Sequence, residues 1–103
     1  MNIEITSRSP GIPDALREYG ESRLSGIERF GEQFEKGEIF LTQEHDDLVC
    51  EVVLHRQRGE ALTARAEAKD GKAAVDTATE RLERQFVRFK EMHSHKGRRQ
   101  RAS

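Results

Sequence analysis

The 103-residue chain has a single cysteine, Cys50, only two prolines, and no apolar run approaching the roughly 20 residues that a membrane span requires. One cysteine excludes an intrachain disulfide and gives no sign of an oxidising compartment. The N-terminus, Met1-Asn2-Ile3-Glu4, has neither the basic segment nor the apolar core of a signal peptide. The cytoplasm is therefore the expected location, with no membrane partner. Apolar residues make up only 34% of the chain and charged residues 36%. The apolar residues are clustered in periodic runs, however, which argues against wholesale disorder.

Chemistry-bearing constellations are also scarce. No Ser/His/Asp or Cys/His set and no carboxylate pair is placed by sequence for catalysis. His45, His55, His93 and His95 give no pair at ligand spacing within one element, since His93 and His95 at i, i+2 point apart on a helix. Cys50 shares a face with Val52 and Leu54 and reads as a small core residue. The expectation is a non-enzymatic protein with no catalytic residue, metal, cofactor or small-molecule substrate.

What the chain does have is a polarised charge distribution. Residues 81–103 carry eight Lys/Arg against two acids, whereas residues 1–80 carry ten bases against seventeen acids. The two parts nearly cancel into a net charge of −1, yet the basic end marks a surface suited to a polyanion.

Hydrophobic periodicity gives the element order. Ile3 and Ile5 alternate with Glu4 and Thr6 as in a half-buried strand, and Ser9-Pro10-Gly11 breaks it. From Pro13, Leu16, Gly20, Leu24 and Ile27 recur at helical spacing, bordered by Tyr19, Arg23 and Phe30, which predicts a helix ending near Gly31. Gly20 and Gly26 each cost that helix about 1 kcal/mol relative to Ala, so packing must support it. Short strands are expected over residues 38–42, 48–55 and 60–67, the second with Leu48, Cys50, Val52 and Leu54 on one face. After Asp70 as N-cap, Ala74, Val75, Ala78, Leu82, Phe86 and Phe89 form the stripe of a long last helix.

The predicted fold is α+β, ordered β-α-β-β-β-α, with two helices on one face of a four-stranded sheet. The other face, with Phe40, Val49, Val53 and Thr63, is expected to stay open or to contact a partner. Residues 1–93 form one domain, and residues 94–103 read as a flexible basic tail. The order is close to that of double-stranded RNA-binding domains, with an extra first strand; the aromatic motif of the RRM and the GXXG loop of the KH domain are absent.

On a wheel of about 100° per residue, Arg81, Arg84 and Arg88 share an arc of roughly 60° on the last helix. Their guanidinium forks suit phosphate oxygens, and Lys90, Lys96, Arg98 and Arg99 extend the same basic surface. The alternative is a solvated face paired with Glu80, Glu83 and Glu91. Lys72 stands where a helix N-terminus favours an anion, although Asp-Gly-Lys is also an ordinary cap. Arg23 either faces the groove between the helices or lays its stem over Tyr19 and Phe30.

Several segments resemble a known family. They are residues 2–6 (Asn-Ile-Glu-Ile-Thr), Ala15-Leu16-Arg17-Glu18 with Ser22-Arg23-Leu24, and Ala73-Ala74-Val75-Asp76 followed by Arg81-Leu82-Glu83-Arg84-Gln85. The chain is similar to the short form of the bacterial ribosome hibernation promoting factor and ribosome-associated inhibitor A family, also described as sigma-54 modulation proteins. The resemblance implies binding to the small ribosomal subunit and 70S ribosome, with contacts to 16S rRNA through both helices over the mRNA and A- and P-site tRNA region. It also implies that Arg23, Arg81, Arg84 and Arg88 match rRNA-facing positions. The free protein is expected to be monomeric. Gly71-Lys72 replaces the family's hydrophobic or aromatic pair, so Lys72 would contribute by charge. A free-standing regulator that binds structured RNA, or a protein through the open sheet face, is the alternative.

Overall fold

The structure, a computed structural model, describes the backbone of residues 1–27 and 34–102 and the side chains of these up to Phe86. Its elements run β1 (Asn2–Ser7), α1 (Asp14–Ser25), β2 (Phe34–Glu44), β3 (Asp47–Arg56), β4 (Leu62–Ala68) and α2 (Gly71–Ala102). The four strands form one sheet in sequence order, with β1 parallel to β2 and the other pairs antiparallel. A parallel pair needs a crossover, and the segment containing α1 supplies it.

Alternation in the strands puts one set of side chains under both helices. Ile5, Ile39, Val52 and Ala64 lie in register across the sheet, as do Leu41, Cys50 and Ala66 one step along. Above them Leu16 and Leu24 of α1 and Ala74, Val75, Ala78, Leu82 and Phe86 of α2 complete a single core. Each fully buried large side chain there contributes about 1.5–3 kcal/mol of hydrophobic stabilisation. Phe34 meets Phe86 edge to face, with centroids 5.4 Å apart. Thr79, the buried polar residue, satisfies its hydroxyl by donating to the Val75 carbonyl one turn back.

Gly20 shows why a poor helix former stands inside α1. A Cβ there would lie 3.2 Å from Ile39 Cδ1, so the missing side chain lets the helix approach β2 closely. The packing gained offsets the propensity lost.

Element boundaries differ from expectation in several places, including β2, which begins at Phe34 rather than residue 38. First, α1 stops at Ser25 with Gly26 as C-cap, so Gly26 costs no helix interior; the predicted extension to Gly31 and the Phe30 border fall on residues 28–33, outside the described residues. Second, β2 and β3 extend to Glu44 and Asp47, so the five residues 43–47 left between the expected strands shrink to a turn at His45-Asp46, with His45 at a φ of 53°. Third, α2 continues past Met92, where its apolar stripe ends, to Ala102. Lys, Arg and Gln are good helix formers, and bases near a C-terminus complement the helix dipole, so the backbone can remain helical beyond the apolar stripe.

Candidate nucleic-acid interface

α2 separates two kinds of charge by its register. Asp76, Glu80 and Glu83 recur at i, i+4, i+7, on the side where Asp76 meets α1. Arg81, Arg84 and Arg88 recur at i, i+3, i+7, on the side where Arg81 meets β4. The sequence-predicted basic residues therefore fall into two groups rather than one continuous stripe with the interhelical groove.

The groove group is built around Asp76. The Tyr19 hydroxyl donates to Asp76 Oδ1, and Arg23 Nε lies 3.0 Å from the same oxygen. That nitrogen is shut off from solvent and makes an ion pair rather than a well-aligned hydrogen bond. The hydrogen bond to Asp76, and then burial, raise the Tyr19 hydroxyl above its ordinary pKa, so it remains a donor at neutral pH. Lys72 Nζ stands 5.3 Å from the centre of the Tyr19 ring, on its face. Of the two placements open to Arg23, the structure selects the groove, and it brings Lys72 to the same aromatic ring.

The edge group does something the sequence did not disclose. β4 is an edge strand, whose outward carbonyls need partners. Arg81 Nη1 donates to the Arg65 carbonyl at 2.6 Å and Gln85 Nε2 to the Thr63 carbonyl at 2.7 Å. At the opposite edge, Arg17 Nη2 donates to the Ile5 carbonyl at 3.2 Å. Both sheet edges are thus covered by side chains reaching down from the helices. Arg84 is exposed and has no partner among the described residues, which leaves its whole guanidinium available. The side chains of Arg88, Lys90, Lys96, Arg98 and Arg99 lie outside the described residues.

The open sheet face is of a different character. Its charges are paired with one another: Lys36 Nζ with Glu4 at 3.1 Å, Arg8 with Glu51 at 3.5 Å, and Arg65 with Glu44 of β2 and Glu67 of its own strand at 3.9 and 3.8 Å, while His55 Nε2 lies 2.5 Å from Glu38 Oε1. The Glu4 carboxylate also raises the Lys36 pKa. Arg8 covers the Phe40 ring at 4.3 Å, and Val49, expected on an open surface, is only 2% exposed although it stands outside the main core. Acids outnumber bases on this face, so it does not suit a polyanion.

Neither a metal cluster nor a membrane-spanning helix is found among the described residues. Cys50 is fully buried, and burial pushes its thiol up to about 12, which removes the thiolate needed for reactivity.

These features define a two-layer α+β module that offers a partner two charged helices on one side and a self-paired sheet on the other. The chain belongs to the sigma 54 modulation protein / S30EA ribosomal protein family, whose model matches residues 3–94. It is 32% identical over 91 residues to a ribosome hibernation promoting factor of Azotobacter vinelandii, covering 88% of this chain and 84% of that one. A ribosome hibernation promoting factor of Salmonella typhimurium is 31% identical, with 88% and 95% covered. Among solved structures, a ribosomal subunit interface protein from Coxiella burnetii superposes with a TM-score of 0.78 at 26% identity, over 87% of this chain and 98% of that one. The N-terminal domain of Thermus thermophilus Protein Y gives 0.74 at 31% identity, over 86% and 99%. The family and the fold expected from the sequence are therefore those found.

Proposed function

We propose that this protein is a ribosome hibernation factor that binds the small ribosomal subunit and inactivates idle ribosomes by occupying the region used by mRNA and by A- and P-site tRNA. The names of its relatives support association with ribosomes. The observation that carries the RNA contact is the charge asymmetry: the sheet face is acidic and internally paired, whereas α2 bears a run of eight bases among residues 81–103, of which Arg84 is exposed with no partner among the described residues. Phosphate neutralisation by that run supplies affinity, and the fit of the helices to folded RNA supplies the site. The contact is with 16S rRNA; the protein acts by steric exclusion in the cytoplasm, without catalysis or cofactor, and is monomeric when free.

A competition experiment on purified small subunits tests this reading. Labelled protein should co-sediment with 30S and 70S particles and be displaced by mRNA together with initiator tRNA. Binding that neither ligand reduces overturns occlusion of the decoding region.

A further inference from the structure

An acid on a face proposed to meet RNA is unfavourable by charge alone, and Asp76 lies in the groove between the two helices. It is only half-buried, with its side chain 39% exposed, so its carboxylate contributes a negative field to the groove. Yet the groove's other chemistry converges on it: the Tyr19 hydroxyl, the Arg23 Nε, and through the Tyr19 ring the Lys72 ammonium. Asp76 touches Arg23 through Nε, the nitrogen nearest the stem. The two terminal nitrogens have no partner among the described residues.

We infer that Asp76 is a positioning residue for RNA binding, resting on the function proposed above. It fixes Arg23 by its inner nitrogen so that the outer fork points away from the helices and is presented to a phosphate, and it anchors Tyr19 so that the ring holds Lys72 beside that fork. An unrestrained arginine loses rotamer freedom when it binds; one already held by Asp76 has lost much of it on folding. The guanidinium remains charged and presents two nitrogens in one plane, the geometry that a phosphate accepts.

The sign of a mutational effect separates this from a bare field effect. Removing a negative charge from an RNA-binding face should tighten binding if charge alone matters, equally for Asp76→Ala and Asp76→Asn. On the positioning account, Asp76→Asn keeps an acceptor oxygen for Tyr19 and Arg23 and binds 30S subunits within about twofold of wild type, whereas Asp76→Ala binds about three- to tenfold more weakly. In an Arg23→Ala background the Asp76→Ala loss should shrink to the part carried through Tyr19 and Lys72, because the arginine it positions is gone. A merely structural role would leave the loss undiminished in that background. Dissociation constants are read at one fixed salt concentration, with melting curves to show that each variant is folded. Tyr19→Phe, which removes only the hydroxyl, takes the place of Asp76→Ala if the latter does not fold, with a smaller loss in the same direction. Wild-type binding with Asp76→Ala as tight as or tighter than wild type overturns the positioning role alone. A wild-type chain that does not bind small subunits overturns the proposed function and this inference with it.

Discussion

Arg81 donates from Nη1 to the main-chain carbonyl of Arg65 at 2.6 Å, joining a residue of the basic helix face to the free edge of the sheet. With Gln85 on the Thr63 carbonyl, it closes an edge that would otherwise offer a template for strand addition. The double variant Arg81→Ala/Gln85→Ala should lose about 1–3 kcal/mol of stability in urea unfolding. It should also self-associate at high concentration in sedimentation velocity runs. Arg84→Ala, whose side chain has no partner among the described residues, should leave both properties unchanged. Equal stability and a strictly monomeric double variant would show that the two bonds do not guard the edge.

Gly71 opens α2 beneath Leu16. A Cβ there would lie 2.7 and 3.2 Å from the two Leu16 methyls and 3.3 Å from Leu48 Cδ2. Ala is the better helix former, but overpacking in a filled site costs about 1–3 kcal/mol, so Gly71→Ala should destabilise the fold. In a Leu16→Ala background the clash with Leu16 is removed, and the same change should be neutral or stabilising. Chemical denaturation of the four proteins in this cycle checks the expectation. It also gives a packing reason for the glycine where relatives of this family were expected to carry a larger residue.

Cys50 makes stability depend on pH at the alkaline end. Its folded thiol is held near 12 by burial, with a smaller contribution from Glu51, whereas the unfolded thiol titrates close to 9. Above pH 9 the unfolded chain therefore releases a proton that the folded chain keeps, and stability falls as pH rises toward 12. The slope from this group approaches about 1.4 kcal/mol per pH unit. Cys50→Ala should be less stable at pH 7 because of the lost packing, but its stability should fall less steeply between pH 9 and 11. Parallel slopes for the two proteins would rule out a buried, protonated thiol.

Much of the fold could be read from periodicity because the decisive residues alternate cleanly. Leu48, Cys50, Val52 and Leu54 announce β3, and the stripe from Ala74 to Phe86 announces α2. Periodicity marks less than half of β2, because Glu35, Lys36 and Glu38 interrupt its apolar pattern; Lys36 and Glu38 pair with Glu4 and His55 on the open face. The turn at His45-Asp46 lacks the Asn-Gly signature of a two-residue hairpin, so the sequence does not mark how short it is. At the site, the sequence identified basic residues but not their tasks. Arg81 is partly spent on a carbonyl 16 positions away, and Asp76 gathers Tyr19 and Arg23 from 57 and 53 positions away. Such pairings depend on how α1 and α2 lie on the sheet, which no local pattern encodes. The one available signal was an acid recurring beside basic residues on a helix expected to meet RNA.

The central claim is that a basic face of α2 meets RNA phosphates, and the most direct test is the salt dependence of binding to 30S subunits. Affinity should fall linearly in log–log form as potassium chloride is raised, with a slope of several units. For Arg84→Ala, which leaves the fold intact on this account, the slope should be shallower by about 0.7–0.9, the value for one lost phosphate contact. Binding that is insensitive to salt, or an Arg84→Ala slope identical to wild type, would contradict it.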